Sequence, residues 1–219
     1  MGCVSRARAV VMRVFVAGAS GVIGVRLLPL LVEAGHEVAG MTRSPEKVEL
    51  LRRLGALPVV CDVFDRPALR EAVIEFAPEA VVSELTDLPD DRERLHAFEA
   101  ANDRMRREGT RNLLDAAAAA KAPRFLAQSI AWQLPGERGA AVDELERTVL
   151  EVGGVVLRYG QLYGAGTSTS PSFPSPRVCR SRRPPLERPT CSRRSPAYSR
   201  SRTPEPPRGG ALPVGGGPA

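Results

Sequence analysis

Cysteine and histidine are scarce in this 219-residue chain, and neither is arranged as a ligand set. The cysteines contain no C-x-x-C pair, and the only histidines, His36 and His96, lie far apart in the sequence. This spacing excludes the usual zinc motifs and supports no disulfide framework, so we expect no metal site and a reducing, cytoplasmic location. No apolar run approaches the length of a membrane span, which argues against a membrane partner.

Charge and proline are distributed unevenly along the chain. The net charge is +6, yet residues 168–219 alone contribute +8, from ten arginines and two glutamates, and hold 12 of the 20 prolines. The preceding residues are therefore slightly acidic, with a net charge of −2. An Arg/Pro/Ser-rich segment cannot bury enough apolar area to offset its chain entropy, so we predict a disordered tail over 168–219.

The tail fits three interpretations. Its Arg-Ser runs are typical of arms that bind nucleic acid phosphates, and its prolines are typical of polyproline ligands. The composition is also what an out-of-frame translation of GC-rich DNA yields. We favour this frameshift interpretation because the tail has no hydrophobic period and begins in the middle of a motif. Nucleic acid is therefore not an expected partner despite the basic tail, and the sequence specifies no oligomeric state.

The N-terminal part of the chain contains a glycine-spaced turn between an apolar strand, 13–17, and a helical run. Its spacing is G-x-x-G-x-x-G. Gly18 lets the strand turn tightly, Gly21 lets backbone N–H groups approach a pyrophosphate, and Gly24 lets the helix pack closely. The positive end of the following helix favours phosphate as well. The turn therefore predicts a dinucleotide-binding segment that consists of Gly18, Ala19, Ser20, Gly21, Val22, Ile23 and Gly24.

Short apolar runs alternate with amphipathic stretches over residues 12–167. Predicted strands cover 13–17, 37–41, 58–61, 79–83, 124–129 and 155–159. Predicted helices cover 22–34, 45–54, 66–76, 91–120 and 141–152, and in the first of them we expect an inward face of Ile23, Leu27, Leu30, Leu31 and Ala34. This alternation predicts right-handed βαβ units and an α/β fold with a doubly wound parallel sheet, the Rossmann fold.

Several stretches within 12–167 resemble the short-chain dehydrogenase/reductase superfamily, in its extended or atypical NAD(P)-dependent epimerase/dehydratase form. The resemblance is carried by the glycine turn and by residues 61–62, 81–88, 108–114, 128–129 and 157–167. It implies a nicotinamide dinucleotide cofactor and a small carbonyl or sugar-derived substrate. Family members continue with a substrate-binding lobe, which is largely missing here because the Arg/Pro/Ser-rich tail takes its place.

The end of the second strand predicts which dinucleotide is preferred. In a Rossmann unit an acidic residue there binds the ribose 2′-hydroxyl of NAD, whereas an arginine accommodates the 2′-phosphate of NADP. This strand ends in Arg43, and no carboxylate follows until Glu46, so we predict NADP, with NAD as the alternative. The resemblance places Asp62 at the adenine amino group and Leu85 and Thr86 against the ribose; Asp62 is equally typical of a turn.

The catalytic pair implied by the resemblance is absent. The family uses a tyrosine, a lysine four residues later that lowers its pKa, and a serine at the end of the fifth strand that polarises the substrate oxygen. Arg138 and Val142 stand near the first two positions. Ser129 is the predicted catalytic hydroxyl, although Ile130 fits the same position and a strand-end serine often bonds local backbone. The chain is therefore a reductase or epimerase, an NmrA-like module that binds NADP(H) without turnover, or an inactive truncated product.

Overall fold

The six predicted strands form one parallel sheet in the computed structural model, which describes residues 10–88 and 92–162. They are β1 (Arg13–Ala17), β2 (Glu37–Thr42), β3 (Leu57–Val60), β4 (Ala80–Ser83), β5 (Arg124–Ile130) and β6 (Val155–Tyr159). The strand order is β3-β2-β1-β4-β5-β6, which confirms the predicted Rossmann fold. The predicted disorder of 168–219 and the domain boundary at 167 lie outside the described residues.

Helices cover both faces of the sheet. They are α1 (Gly24–Glu33), α2 (Val48–Arg53), α3 (Arg66–Phe76), α4 (Glu99–Arg104), α5 (Thr110–Ala119) and α6 (Gly136–Glu151). Successive β1 side chains point to opposite faces: Val14 packs with Leu28 and Leu51 of the α1–α2 layer, and Phe15 packs with Leu113 of the opposite layer. Burial on both faces explains why the central strands are almost wholly apolar.

The order of the strands reverses between β1 and β4. Ala17, the last residue of β1, pairs with Met41 of β2 on one side and with Ser83 of β4 on the other. In open parallel sheets ligands bind outside the carboxyl ends of the strands at such a switch point. The fold therefore brings together the segments that follow β1, β2 and β4.

The helix predicted over 91–120 corresponds to a helical stretch over 92–119, but this stretch is not a single α-helix. A 3₁₀ segment (Arg92–Phe98) precedes α4, and a π-helical turn (Met105–Gly109) separates α4 from α5. One wide turn displaces the apolar period by less than a residue, so the sequence pattern does not reveal it.

Helix α1 turns only part of its predicted face to the sheet, since Leu27 and Leu31 pack against the core but Leu30 does not. Leu28 is fully buried, whereas Leu30, predicted to face inward, is 62% exposed. A Cβ at Gly24 would lie 2.4 Å from the backbone oxygen of Ala19. The helix thus packs backbone against backbone at its first turn. None of the described helices is long and apolar enough to span a membrane.

Candidate cofactor site

A cleft of about 220 Å³ opens at the carboxyl ends of β1, β2 and β4. It lies at the switch point, where the fold predicts a ligand. Of the residues predicted to bind the cofactor, those that line the cleft are Gly18, Ser20, Gly21, Arg43, Asp62, Leu85 and Thr86. The remaining predicted residues, Ala19, Val22, Ile23, Gly24 and Ser129, do not line it.

Backbone contacts hold the glycine turn in place on one wall of the cleft. Gly18 has φ +81°, and a Cβ there would lie 2.5 Å from the backbone oxygen of Glu84. At Gly21 a Cβ would meet only the backbone oxygen of Gly18, at 3.3 Å. The Gly21 N–H donates to that same oxygen at 3.0 Å. Only glycine fits at position 18, whereas the backbone at Gly21 stays open to close approach by a ligand.

The N-terminus of α1 adjoins this turn, and no side chain of its first turn neutralises its partial positive charge. Its N-cap residue, Ile23, supplies no capping hydrogen bond, and its first turn contains no acidic residue. A helix end without a side-chain cap or a carboxylate retains its partial positive charge for an anion, although the Val25 and Leu27 N–H groups here already donate to the carbonyls of Gly21 and Ile23. The glycine turn and the helix end therefore fit a dinucleotide pyrophosphate.

Hydrogen bonds join the glycine turn to the end of β2. The Ala19 N–H donates to the Met41 carbonyl at 3.1 Å, and the Ser20 and Thr42 hydroxyls lie 2.9 Å apart. Thr42 Oγ1 also accepts the Ser44 N–H at 3.2 Å. The wall that would contact a pyrophosphate is thus tied to the wall that would contact the adenosine half of a dinucleotide.

Arg43 reaches from the end of β2 to the segment after β4. Its Nη2 donates to Asp87 Oδ1 at 2.7 Å, and this hydrogen bond raises the pKa of Arg43 above its ordinary value. Asn102 of α4 holds Asp87 in turn, because its Oδ1 accepts the Asp87 N–H at 3.1 Å. Asn102 itself is buried. The sequence spacing contains no signal for these long-range pairs.

Asp62 both lines the cleft and forms a turn. Its Oδ1 accepts the Phe64 N–H at 2.9 Å, as a turn aspartate does. Cys61, just before it, is buried, and burial raises the pKa of its thiol to about 11. The thiol is therefore protonated near neutral pH and is a poor nucleophile.

Glu84, which the sequence analysis did not single out, also lines the cleft. It is only 5% exposed, and burial raises the pKa of its carboxyl to about 7. Tyr159, at the end of β6, donates its hydroxyl to Glu84 Oε1 at 3.0 Å. Burial, and then the nearby Glu84, raise the pKa of Tyr159 to about 12, so its phenol stays protonated.

Ser129 lies in a separate hydrogen-bonded cluster between β5, β6 and α6. Its hydroxyl donates to Glu146 Oε1 at 2.5 Å, and Arg158 Nε donates to the same oxygen at 3.0 Å. The Arg158 hydrogen bond lowers the pKa of Glu146, so the hydroxyl faces an ionised carboxylate. Val142 is buried in α6, and Arg138 pairs with Glu99 at 2.9 Å. The hydroxyl of Ser129 is thus used to join secondary-structure elements.

A match to a known protein family indicates which class of ligand this cleft binds. A family profile described as NAD(P)H-binding matches residues 18–151, which include the glycine turn, the end of β2 and the segment after β4. The chain belongs to the NAD(P)H-binding family. The resemblance drawn from the sequence motifs is thereby confirmed at the level of the family, and the chain is an NAD(P)-binding Rossmann protein.

Two relatives of this NAD(P)H-binding chain are reductases. A 3-diazoavenalumate denitrifying reductase from a Streptomyces species is 40% identical over 180 residues, which cover 71% of this chain and 58% of the relative. A 4-hydroxy-2-methyl-3-oxo-4-farnesyl-3,4-dihydroquinoline-1-oxide ketoreductase from Stigmatella aurantiaca is 39% identical over 62 residues, 28% of this chain and 19% of the relative. This chain therefore spans less than two thirds of the length of either relative.

Solved structures with the same fold include sugar-nucleotide enzymes. UDP-glucose 4-epimerase from Thermotoga maritima gives a TM-score of 0.60 at 20% identity, over 70% of this chain and 57% of the epimerase. The Bordetella bronchiseptica enzyme WbmH, solved with NAD⁺, gives 0.58 at 19% identity, over 74% of this chain and 60% of WbmH. At these identities the likeness establishes the fold.

Proposed function

We propose that this chain binds NADP(H) in the switch-point cleft and acts as a reductase-like or epimerase-like protein on a small carbonyl or sugar-derived substrate. The observation that carries the proposal is the composition of the cleft: the glycine turn forms one wall, and Arg43 and Asp62 lie beyond the end of β2 and β3. The bound nicotinamide would supply or accept the hydride. The two reductase relatives support a reduction over other reaction classes, and the name of the ketoreductase specifies a keto group as what is reduced, whereas that of the denitrifying reductase does not.

In this proposal different residues of the chain bind different parts of the dinucleotide. The glycine turn and the positive end of α1 hold the pyrophosphate. The N–H groups of Ala19, Gly21 and Val25 do not take part, because they donate to backbone oxygens of the chain. Arg43 holds the 2′-phosphate of NADP. Only its Nη2 is used by Asp87, and its side chain is 56% exposed, so further guanidinium donors stay available to a phosphate.

Replacement of Arg43 tests the preference for NADP. Arg43→Ala should weaken NADPH binding by about 10- to 100-fold, the usual value of a charged hydrogen bond, and leave NADH binding nearly unchanged. Fluorescence titration of both nucleotides measures this. Arg53→Ala is the matched control, because Arg53 is an exposed arginine of α2 that does not line the cleft. An equal loss for NADPH and NADH in Arg43→Ala would refute the role of Arg43.

A second candidate function is NADP(H) binding without turnover. The observation that favours it is the environment of Ser129, whose hydroxyl donates to Glu146 and does not line the cleft. Incubation of the protein and NADPH with small aldehydes, ketones and keto-sugars separates the two functions. Consumption of NADPH that Ser129→Ala abolishes, with nucleotide affinity unchanged, supports catalysis by Ser129. Saturable binding with no consumption supports the non-catalytic module.

A further inference from the structure

Glu84 is a buried acid in the cleft that the proposed function does not use. It follows β4 directly, and its backbone packs against Gly18 of the phosphate-binding turn. Its Oε1 accepts the Tyr159 hydroxyl, whereas its Oε2 is buried and has no hydrogen-bond partner in the described part of the chain. A buried polar atom without a partner is uncommon in folded proteins and calls for a ligand, a proton or both.

No described cation compensates a negative charge on Glu84. From β6 it faces the neutral phenol of Tyr159, and the neighbouring Gln128 of β5 donates its amide to the Leu85 carbonyl instead. The charged groups that line the same cleft are Arg43, which pairs with Asp87, and Asp62. Burial alone therefore raises the pKa of Glu84 to about 7, against the opposing effect of the Tyr159 hydrogen bond.

The protonated and the ionised form of Glu84 would interact with a bound dinucleotide in opposite ways. With Tyr159 donating to Oε1, a proton on this carboxyl resides on Oε2, which then becomes a hydrogen-bond donor that lacks an acceptor. A dinucleotide brings two negative charges on its pyrophosphate and many acceptor oxygens. The protonated acid can donate to one of them, whereas the carboxylate would repel them in a poorly solvated site.

We propose that Glu84 is a ligand-binding residue of this cleft: as an uncharged acid anchored by Tyr159, it donates a hydrogen bond to an oxygen of the bound dinucleotide. In its ionised form it opposes binding. This inference rests on the proposed function, because it requires a dinucleotide to occupy the cleft. Tyr159 is a positioning residue that acts through Glu84.

The pH dependence of nucleotide affinity in the full chain tests this role. NADH is the probe, since its pyrophosphate does not titrate near neutral pH, whereas the 2′-phosphate of NADPH does. Wild-type affinity should fall by roughly an order of magnitude from about pH 7 to about pH 8.5, as the binding-competent fraction falls. Calorimetry at about pH 8 in two buffers of different ionisation enthalpy should show the uptake of close to one proton.

Variants connect this pH dependence to Glu84. Glu84→Gln keeps a donor and has no charge, so its affinity for NADH should be nearly constant over the same range. Tyr159→Phe removes the hydrogen bond that lowers the pKa of Glu84, so the midpoint should move to higher pH. Glu79→Gln is the matched control at the opposite end of β4, and it should keep the wild-type profile.

Each outcome decides between the inference and the function on which it rests. Wild-type binding that is independent of pH, or a Glu84→Gln profile like that of the wild type, overturns the role of Glu84 and leaves dinucleotide binding intact. If the pH profile of NADH affinity has the same midpoint in Tyr159→Phe as in the wild type, Tyr159 does not act as a positioning residue for Glu84. Absence of NADH and NADPH binding at every pH overturns both the inference and the proposed function.

Discussion

Burial of the Glu84 carboxyl couples the stability of the domain to pH. Its pKa rises from 4.5 to about 7 because the folded protein shields it from water. An acid whose pKa is higher in the folded state holds its proton more tightly there. This contribution to stability is therefore fully present below the unfolded pKa and is lost as the pH rises through the folded one.

Glu84→Gln should consequently be more stable than the wild type at about pH 8, by up to roughly 3 kcal/mol, because it removes the cost of a buried charge. The two proteins should converge below about pH 4.5, where Glu84 is neutral in both states. Urea unfolding at a series of pH values measures the difference. A stability difference that does not change with pH would show that Glu84 is solvated or compensated.

In the proposed NADP complex, Asp87 would compete with the 2′-phosphate for Arg43. Their ion pair is partly exposed, and such pairs contribute at most about 1 kcal/mol. Asp87→Asn has the same size and frees the guanidinium, so NADPH affinity should rise by up to about fivefold while NADH affinity stays constant. Weaker NADPH binding in the same titration would mean that Asp87 orients Arg43 for the phosphate.

At the scale of elements, the approach of α1 to β1 depends on one glycine. A Cβ at Gly24 would meet the oxygen and the carbon of the Ala19 carbonyl at 2.4 and 2.6 Å, and neither backbone atom can move away without disturbing the turn. Gly24→Ala should therefore destabilise the protein by roughly 2–4 kcal/mol in thermal or urea unfolding. Gly160→Ala is the matched control, because no atom lies within 4 Å of a Cβ there. Equal stability of the two variants would contradict this packing.

The Ser129 cluster joins β5, β6 and α6 on the face opposite α1. Ser129→Ala removes one hydrogen bond to the ionised Glu146 and should cost about 2 kcal/mol of stability. Nucleotide affinity should stay unchanged, since Ser129 does not line the cleft. Parallel unfolding and titration experiments check both parts. A loss of affinity without a loss of stability would place Ser129 in the binding site instead.

Local patterns predict the elements better than they predict their contacts. Each strand lies within one residue of its predicted bounds, because alternation of apolar runs with glycine and polar turns is a local property. The exposure of Leu30 on α1 and the π-helical turn before α5 were not predictable in this way. The first depends on how the helix packs against the sheet, and the second changes the apolar period by less than one residue.

Within the site, too, local patterns locate some residues, whereas others depend on long-range contacts. The glycine turn and Arg43 occupy fixed positions after β1 and β2, so fold and motif together locate them. Glu84 follows an ordinary apolar strand, and it accepts a hydrogen bond from Tyr159, 75 residues later in the chain. No spacing rule connects two such residues, and only the sheet brings them together.

At the scale of the whole molecule, the described residues supply the dinucleotide-binding sheet. The chain spans 57–60% of the length of the Thermotoga epimerase and of WbmH, so the comparison covers this sheet and not the remainder of those enzymes. The cleft is built by segments that follow four neighbouring strands of the sheet, β3, β2, β1 and β4. Recognition of the nucleotide is therefore a property of this sheet, and we expect it to be measurable without a substrate.

The most direct test is a titration of the full chain with NADPH and with NADH, in which fluorescence measures binding and thermal melting measures stabilisation. The account predicts saturable binding that is tighter for NADPH, and a stabilisation of about 2.7 kcal/mol at 100 times the dissociation constant. Without nucleotide, Gly21→Ala should melt like the wild type. It should bind the nucleotide more weakly, because the added methyl group would lie on the open side of the turn. Melting curves that neither nucleotide shifts, together with titrations that do not saturate, would contradict dinucleotide binding in this cleft.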